Sequence, residues 1–545
     1  MFGPKWLLIY ILAFAFLIRV MGIGYGLPLW LIDDEPPFAL AALKMIQLKT
    51  LLPALHLEEF KTVLYYPPYL SYLYLLPFSI LLGIKYLFFS GGQEQFIYYL
   101  TSDLSQFFLI ARFLNVVLGV LSAGLLYRVA KNIFKSELAG LAAAFFISTS
   151  LFHILMSANA RHWLPISFFT VLVLWLLNLD WDFRKRYLLA ILAVGIGMGV
   201  SPINGLLPVL IGYWYFFYEQ RSLSGLVKEK YFYGSLVIFA LLAILPRILY
   251  PQSFGFQADL TSGQAKSLWG ILQGPFLFLK SAALSEPVLM LFAVFGLATA
   301  AFYRRRLFWP LFLFIYTYSA VFYWFFRYEH RFALPIFPLL ALLAGVGFVN
   351  LYERISVGVF KKAIILILLV PLVLSLRLSY LLYKNDSRTL LRNWAEQNLP
   401  AGSKILVFAR LTRLSSIKEA IKEQEFLDSK SLRKVDVAEM NFSLPDKKYF
   451  HALNLYDVNN QEFYGNLEKY ARDNRYQYLF IGGSDARDLK RLNSFQKLAG
   501  QRTSLKSFGE FQETYSPSIG QLTGNPIGLF KLKEFGPPVA IYKLY

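Results

Sequence analysis

The sequence predicts a polytopic α-helical membrane protein of about 11 transmembrane helices, followed by a C-terminal extracytoplasmic α/β domain. Three observations carry this. Hydrophobic residues make up 57% of the 545-residue chain and charged residues only 16%, with a mean hydropathy of +0.48. Apolar stretches near bilayer-spanning length recur up to residue 383, and Lys/Arg clusters occupy alternate connections between them. After Tyr383 the composition turns polar over about 160 residues, enough for one domain.

The candidate spans are 6–24, 106–128, 138–156, 163–181, 187–201, 203–218, 231–249, 286–303, 307–326, 332–351 and 363–383. The first lacks a small-residue cleavage site and reads as a retained span. The basic clusters are Arg128/Lys131/Lys135, Arg184-Lys185-Arg186, Arg221/Lys228/Lys230, Arg304-Arg305-Arg306 and Arg354/Lys361/Lys362. Under the positive-inside rule they face the cytoplasm, as does the N-terminus. The other connections then face outward, including a first loop of about 25–105. Tyr65-Tyr66-Pro67-Pro68 opens one more apolar run, to about Phe89. A crossing there would move every later basic cluster outside, so the pattern predicts an interfacial or re-entrant segment. Beyond Tyr383, residues 392–398 have helical character, and Ile405 to Phe408, Tyr478 to Ile481 and Val539 to Tyr542 read as strands. The domains are thus 1–383, in the membrane, and 384–545, soluble and extracytoplasmic.

A net charge of +20 would suit nucleic acid, but its distribution in short clusters between spans suits anionic lipid instead. The chain has no cysteine, which excludes disulfides, thiolate metal sites and thiol catalysis. It carries no Walker loop, dinucleotide-binding glycine pattern or HExxH. A site on the outer face has no ready access to cytosolic nucleotides, so an activated substrate there would arrive on a lipid carrier.

Candidate chemistry begins with Asp33, Asp34 and Glu35, three acids just after the first span, where uncompensated charge is costly. An acid before Pro36 is an ordinary helix cap, but capping does not account for three. The functional reading is a general base facing an acceptor hydroxyl. His56, His162 and His330 fall on the outer side and could converge, although polar residues belong in loops in any case. Arg327, Glu329, His330 and Arg331 precede the tenth span. They read either as a headgroup-level anchor or as a phosphate site, since guanidinium pairs bidentately with phosphate oxygens. Arg161 and Arg247 share that ambiguity.

Taken in order, these segments resemble the GT-C superfamily of integral-membrane glycosyltransferases. The resemblance is to the branch of protein O-mannosyltransferases and the lipid A aminoarabinose transferase. Its pieces are Asp34-Glu35 with Ala39, Ala41 and Ala42; Tyr66-Pro67-Pro68-Tyr69 with Tyr72-Leu73; the span from Arg112 to Arg128; and Ser157-Ala158-Asn159-Ala160-Arg161 with Pro165. His330-Arg331-Phe332-Ala333-Leu334-Pro335 with Pro338 and Leu339 follows, then Arg388 to Trp394 with Pro400 and Gly402. Together they cover most of residues 1–410.

The resemblance implies transfer of one sugar, with inversion, from a polyprenyl-phosphate donor to an outer-face acceptor: a protein, glycolipid or polymer. It makes Asp34 the base, Glu35 its motif partner and Asp33 an extra acid, with Tyr66, His56, His162, Glu329 and His330 around the substrate. Arg331, helped by Arg161, Arg247 or Arg327, would hold the leaving lipid phosphate. Trp163 stands where many relatives carry an acid that shapes the site or binds metal. No cofactor is therefore certain, and a divalent metal is left open. No nucleic acid is expected as a partner, and the plasma membrane is the expected location. The alternatives are a polyprenol-linked glycolipid flippase or transporter, which would carry acids inside its spans and paired inverted halves, and a non-catalytic glycan-binding subunit.

Overall fold

A computed structural model describes residues 3–251, 268–325, 329–482, 489–510 and 514–545. Among these, seven helices are long and apolar enough to cross a membrane, or nine if two bent pairs each count as one. On one of them Val237, Leu241, Ile244 and Ile248 are exposed in one helical row, which no water-soluble bundle would leave to solvent. The chain is a multi-pass membrane protein.

The bundle begins with α1 (Pro4–Met21), α2 (Pro36–Leu48) and α3 (Tyr69–Leu87). It continues with α4 (Ser105–Phe134), α5 (Glu137–Thr149), α6 (Leu151–Ser157), α7 (Trp163–Leu177), α8 (Phe183–Val200) and α9 (Lys230–Leu249). The later helices are α10 (Leu268–Ser285), α11 (Pro287–Tyr303), α12 (Arg305–Phe325), α13 (Phe337–Arg354) and α14 (Leu369–Lys384).

Of the eleven expected spans, 163–181 and 286–303 are short apolar helices. The span expected at 203–218 is broken into 3-10, α and π turns after Pro202. Helix α10 was absent from the eleven because Gln273, Gly274, Pro275 and Lys280 dilute its hydropathy. Helix α3, in the run expected to be interfacial or re-entrant, is one of the seven helices of spanning length. Tyr66 before it stacks on His162, and Tyr98 after it bonds Tyr449 of the C-terminal domain at 2.9 Å.

Helices α5 and α6 form one broken element, bent by 60° at Ser150. A break leaves carbonyls unpaired on one side and N–H groups on the other. Arg19, the single charge within 6–23, meets the carbonyls. It is fully buried and donates to Ile147 O and Ser148 O at 3.1 Å each, and to Ser157 Oγ at 3.2 Å. Gly119 makes room for it, since a Cβ there would sit 3.0 Å from Arg19 Nε. Glu286 meets the other side, accepting from Phe152 N at 2.9 Å and Ser150 Oγ at 2.6 Å. Each charge complements the helix end it faces. Glu286→Ala is expected to cost about 1–3 kcal/mol by stranding those donors; a heat-denaturation midpoint in detergent reads it, and an unchanged midpoint refutes it.

The C-terminal domain opens with α15 (Ser387–Asn398) and a sheet in the order β2-β1-β3-β7-β4. Its strands are β1 (Lys404–Phe408), β2 (His451–Asn454), β3 (Tyr478–Gly482), β4 (Ser504–Phe508) and β7 (Val539–Lys543). The strands β1, β2 and β3 are mutually parallel, and β7 runs antiparallel to β3 and β4. Ile405 to Phe408 are all buried, the continuous apolar run of a strand covered on both faces. A hairpin of β5 (Tyr515–Ser516) and β6 (Gln521–Leu522) leaves the sheet. Tyr515, Leu522, Leu529 and Phe535 join the core of the helical bundle, so this stretch packs as part of the membrane domain.

Candidate active site

The site is built where three connections of the bundle meet the hairpin. The first is the loop after α1. Asp34 adopts a left-handed backbone (φ 60°), which Asp and Asn tolerate better than other side chains with a Cβ. Its neighbours pin it on both sides: Asp33 N donates to Ser518 O of the hairpin at 2.9 Å, and Glu35 is fully buried. The expected capping by Glu35 does not occur, as no side chain caps α2. Arg112 instead donates to both Glu35 oxygens, at 2.7 and 2.6 Å, and Ala160 N donates to one at 2.7 Å. Glu35 is therefore a structural anchor. Its expected place among the reacting acids is corrected, because both its oxygens are satisfied in the interior and it is not among the residues lining the cavity beside Asp34.

The second connection is the corner from 158 to 162. Asn115 Nδ2 on α4 donates to Asn159 O (2.6 Å) and Arg161 O (2.9 Å), and Asn159 Oδ1 accepts from Arg161 N (3.1 Å). This aims the Arg161 guanidinium at Asp34, with Nη2 donating to Oδ2 at 2.8 Å. Arg161 is only 1% exposed, and among the described residues its Nε and Nη1 have no hydrogen-bond partner. A buried cation with two unused donors is costly unless a ligand takes them up.

The third is the 3-10 turn His330–Ile336. Tyr318 on α12 secures it by donating to Phe332 O at 2.8 Å. Arg331 pairs with Glu329 at 2.6 Å and approaches Asp34 Oδ2 at 3.5 Å, so two guanidiniums flank one carboxylate. Its Nη1 also donates to Ile519 O of the hairpin at 3.4 Å. Gly520 has a φ of 74°, a left-handed backbone that favours glycine, and packs against the flexible end of Met156.

A cavity of about 520 Å³ opens here, lined by Asp33, Asp34, Glu329, His330, Arg331, Arg410 and hairpin residues 519–521. Tyr66 and His162 pack together with ring centres 4.5 Å apart; Phe38 stacks on Tyr66, and Trp163 packs on His162 at a tilt. Burial, and then the negative charge of Asp34, push the Tyr66 hydroxyl up to about 12. Burial also raises the Asp33 carboxyl, Arg410 opposing and Asp34 adding to the shift. Trp163, standing where an acid was expected, stacks on Phe332 at 5.1 Å.

The structure thus gathers Asp33, Asp34, Arg161, Glu329, His330 and Arg331, with Tyr66 and His162 alongside. His56 does not converge with them; it pairs with Glu59 at 3.7 Å and lines no part of the cavity. Arg247 is exposed at the end of α9 and is also absent from the lining. Arg327 lies outside the described residues. Among the described residues, no three His, Asp or Glu side chains are grouped closely enough to hold a metal ion.

Sequence reasoning missed Arg112, Asn115, Arg410 and the hairpin. The first two had a signal, since Arg112, Asn115, Gly119 and Ser122 form a polar stripe at helical spacing along an apolar segment. Arg410 follows β1, and the carboxyl ends of parallel strands commonly form sites.

Residues 95–250 match the family model of dolichyl-phosphate-mannose-protein mannosyltransferases. That stretch contains Arg112, Asn115 and Arg161 but neither the acidic triplet nor Arg331. The match agrees with the resemblance to membrane glycosyltransferases over that stretch, which holds the pieces from Arg112 to Arg128 and from Ser157 to Pro165. An uncharacterized protein of Aquifex aeolicus is 29% identical over 133 residues, spanning 24% of this chain and 26% of that one. Among solved structures, ArnT from Cupriavidus metallidurans bound to undecaprenyl phosphate is similar at 12% identity and TM-score 0.45, over 99% of this chain and 98% of that one. The arabinofuranosyltransferase AftD from Mycobacteria is similar at 13% identity and TM-score 0.40, over 100% of this chain and 42% of that one.

Proposed function

We propose that this chain is an integral-membrane glycosyltransferase that moves one sugar from a polyprenyl-phosphate carrier to an acceptor on the outer face of the membrane. The observation that carries this reading is Asp34, 38% exposed at a cavity wall and flanked by the buried Arg161 and by Arg331. Such a group can take a proton, and the two guanidiniums can receive a phosphate.

In this reading the donor phosphate takes up the unused donors of Arg161 and draws both guanidiniums from Asp34. The released carboxylate accepts the proton of the acceptor hydroxyl as its oxygen bonds to the anomeric carbon. The carbon–oxygen bond to phosphate breaks, and its electron pair stays on the phosphate oxygen, whose growing charge faces Arg161 and Arg331. One displacement inverts the anomeric centre. The basic clusters lie at the opposite end of the bundle from Asp34, which supports cytoplasmic placement of that end and an outer site.

The test is transfer from polyprenyl-phosphate sugars by the purified protein in lipid nanodiscs. Transfer with release of polyprenyl phosphate is expected, and lipid movement across vesicles without transfer would favour a flippase. Arg161→Gln is expected to weaken undecaprenyl phosphate binding by at least about tenfold, the worth of one charge-assisted hydrogen bond. Arg161→Lys should not restore it, because an ammonium lacks the planar fork. Equal affinity across these variants would remove Arg161 from the phosphate site.

A further inference from the structure

Behind the hairpin lies a second cavity, of about 260 Å³. It shares Asp33, Arg410 and Ile519 with the Asp34 cavity, so these side chains form a partition between the two. Its other walls come from the C-terminal domain and the first loop, which are tied together there. Tyr25 donates to Asp386 at 2.7 Å, and Gly26 N to Asn385 Oδ1 at 2.7 Å.

Its lining holds four carboxylates (Asp33, Asp386, Glu510 and Glu534) against two guanidiniums, Arg388 and Arg410. Arg388 is already engaged, donating to both oxygens of Asp386 at 2.8 and 3.0 Å, and Glu534 pairs with Lys384 at 3.6 Å, which leaves Asp33 and Glu510 against Arg410. A wall with excess negative charge repels phosphate or carboxylate ligands, since like charges oppose each other. Mixed acceptors and donors beside Tyr25 and Tyr515 suit a neutral, hydroxyl-rich group. The volume accommodates a sugar ring.

We propose that this second cavity is the acceptor subsite, that it takes a neutral sugar headgroup, and that Asp33 orients that headgroup toward Asp34. This rests on the glycosyltransferase reading. One hydroxyl of the acceptor reaches past the partition and loses its proton to Asp34. Its oxygen bonds to the anomeric carbon, and the displaced phosphate keeps the electron pair of the broken bond. Asp33 accepts a hydrogen bond from a second hydroxyl of the same ring and does not take part in bond making. The headgroup could belong to a glycolipid or to a free glycan.

The experiment uses Ser516, which lines the second cavity and is not among the residues lining the first. Ser516→Trp fills the subsite. The full-length wild type and variant are returned to a deletion strain, sugar gain is read by mass spectrometry in lipid extracts and in water-soluble glycans, and undecaprenyl phosphate binding is measured on the purified proteins. Ser516→Trp is expected to lower product by at least about tenfold while binding undecaprenyl phosphate as the wild type does. The added sugar should sit on a glycan; the lipid extract and the water-soluble fraction distinguish its two sources. Wild-type product from Ser516→Trp, loss of undecaprenyl phosphate binding in that variant, or a new sugar on a phosphate or a protein side chain would each overturn the subsite. If the wild type yields no product beyond the deletion strain, the transfer reading falls, and the subsite with it.

Discussion

Asp34→Asn is expected to lower sugar transfer by about 10²–10⁴-fold, the contribution of a well-placed general base. The substitution is chosen for the backbone as much as for the charge. Residue 34 has a φ of 60°, a region Asn occupies as readily as Asp, whereas Ala would add strain of about 1–2 kcal/mol. The amide oxygen can still accept from Arg161, so the corner keeps its shape. Undecaprenyl phosphate should bind at least as tightly, because no carboxylate then competes for the two guanidiniums. Initial rates and binding on the same preparation test both halves. Transfer within about tenfold of wild type would take the base role from Asp34, and weakened lipid binding would argue that its charge organises the phosphate site.

Arg112→Met should have the largest effect on stability, about 3–5 kcal/mol, because it strands the Glu35 carboxylate without its partner in the interior. Both side chains are 0% exposed. Arg112 Nη1 also donates to Ile23 O at 2.7 Å and Tyr25 O at 2.8 Å, so the pair joins the end of α1, the acidic loop, α4 and the corner that carries Arg161. A lower heat-denaturation midpoint should accompany lost transfer. The double variant Glu35→Leu with Arg112→Met removes both charges and should recover much of the stability, yet little transfer, since nothing then directs Ala160 N and the loop carbonyls. A double variant no more stable than Arg112→Met would show that the cost lies in the loop contacts alone.

Much of the site was legible in the sequence because its groups are expensive where they stand. Three acids beside an apolar span, and arginines at span ends, need a use or a partner wherever the chain folds. The use each one has was not legible. Glu35 and Asp34 are neighbours of the same chemistry, yet one is a buried anchor and the other faces a cavity. That difference depends on Arg112, far along the chain. His56 and Arg247 looked equivalent to His162 and Arg161 by topology, because topology sorts residues by membrane side and not by position across the bundle.

The sequence by itself determined that this is a multi-pass helical protein with a C-terminal α/β unit. Apolar length, the alternation of basic clusters and the apolar strand β1 are local properties, enforced by the solvent each segment must face. Only the tertiary structure decided how the break at Ser150 is stabilised by Arg19 and Glu286, how Arg161 is aimed, and that a hairpin from the C-terminal domain completes the cavity. These depend on pairings between residues more than a hundred positions apart, such as Arg19 with Ile147, Glu35 with Ala160 and Asp33 with Ser518. Periodicity and composition report the burial of a segment; they carry no information on which buried polar groups will meet.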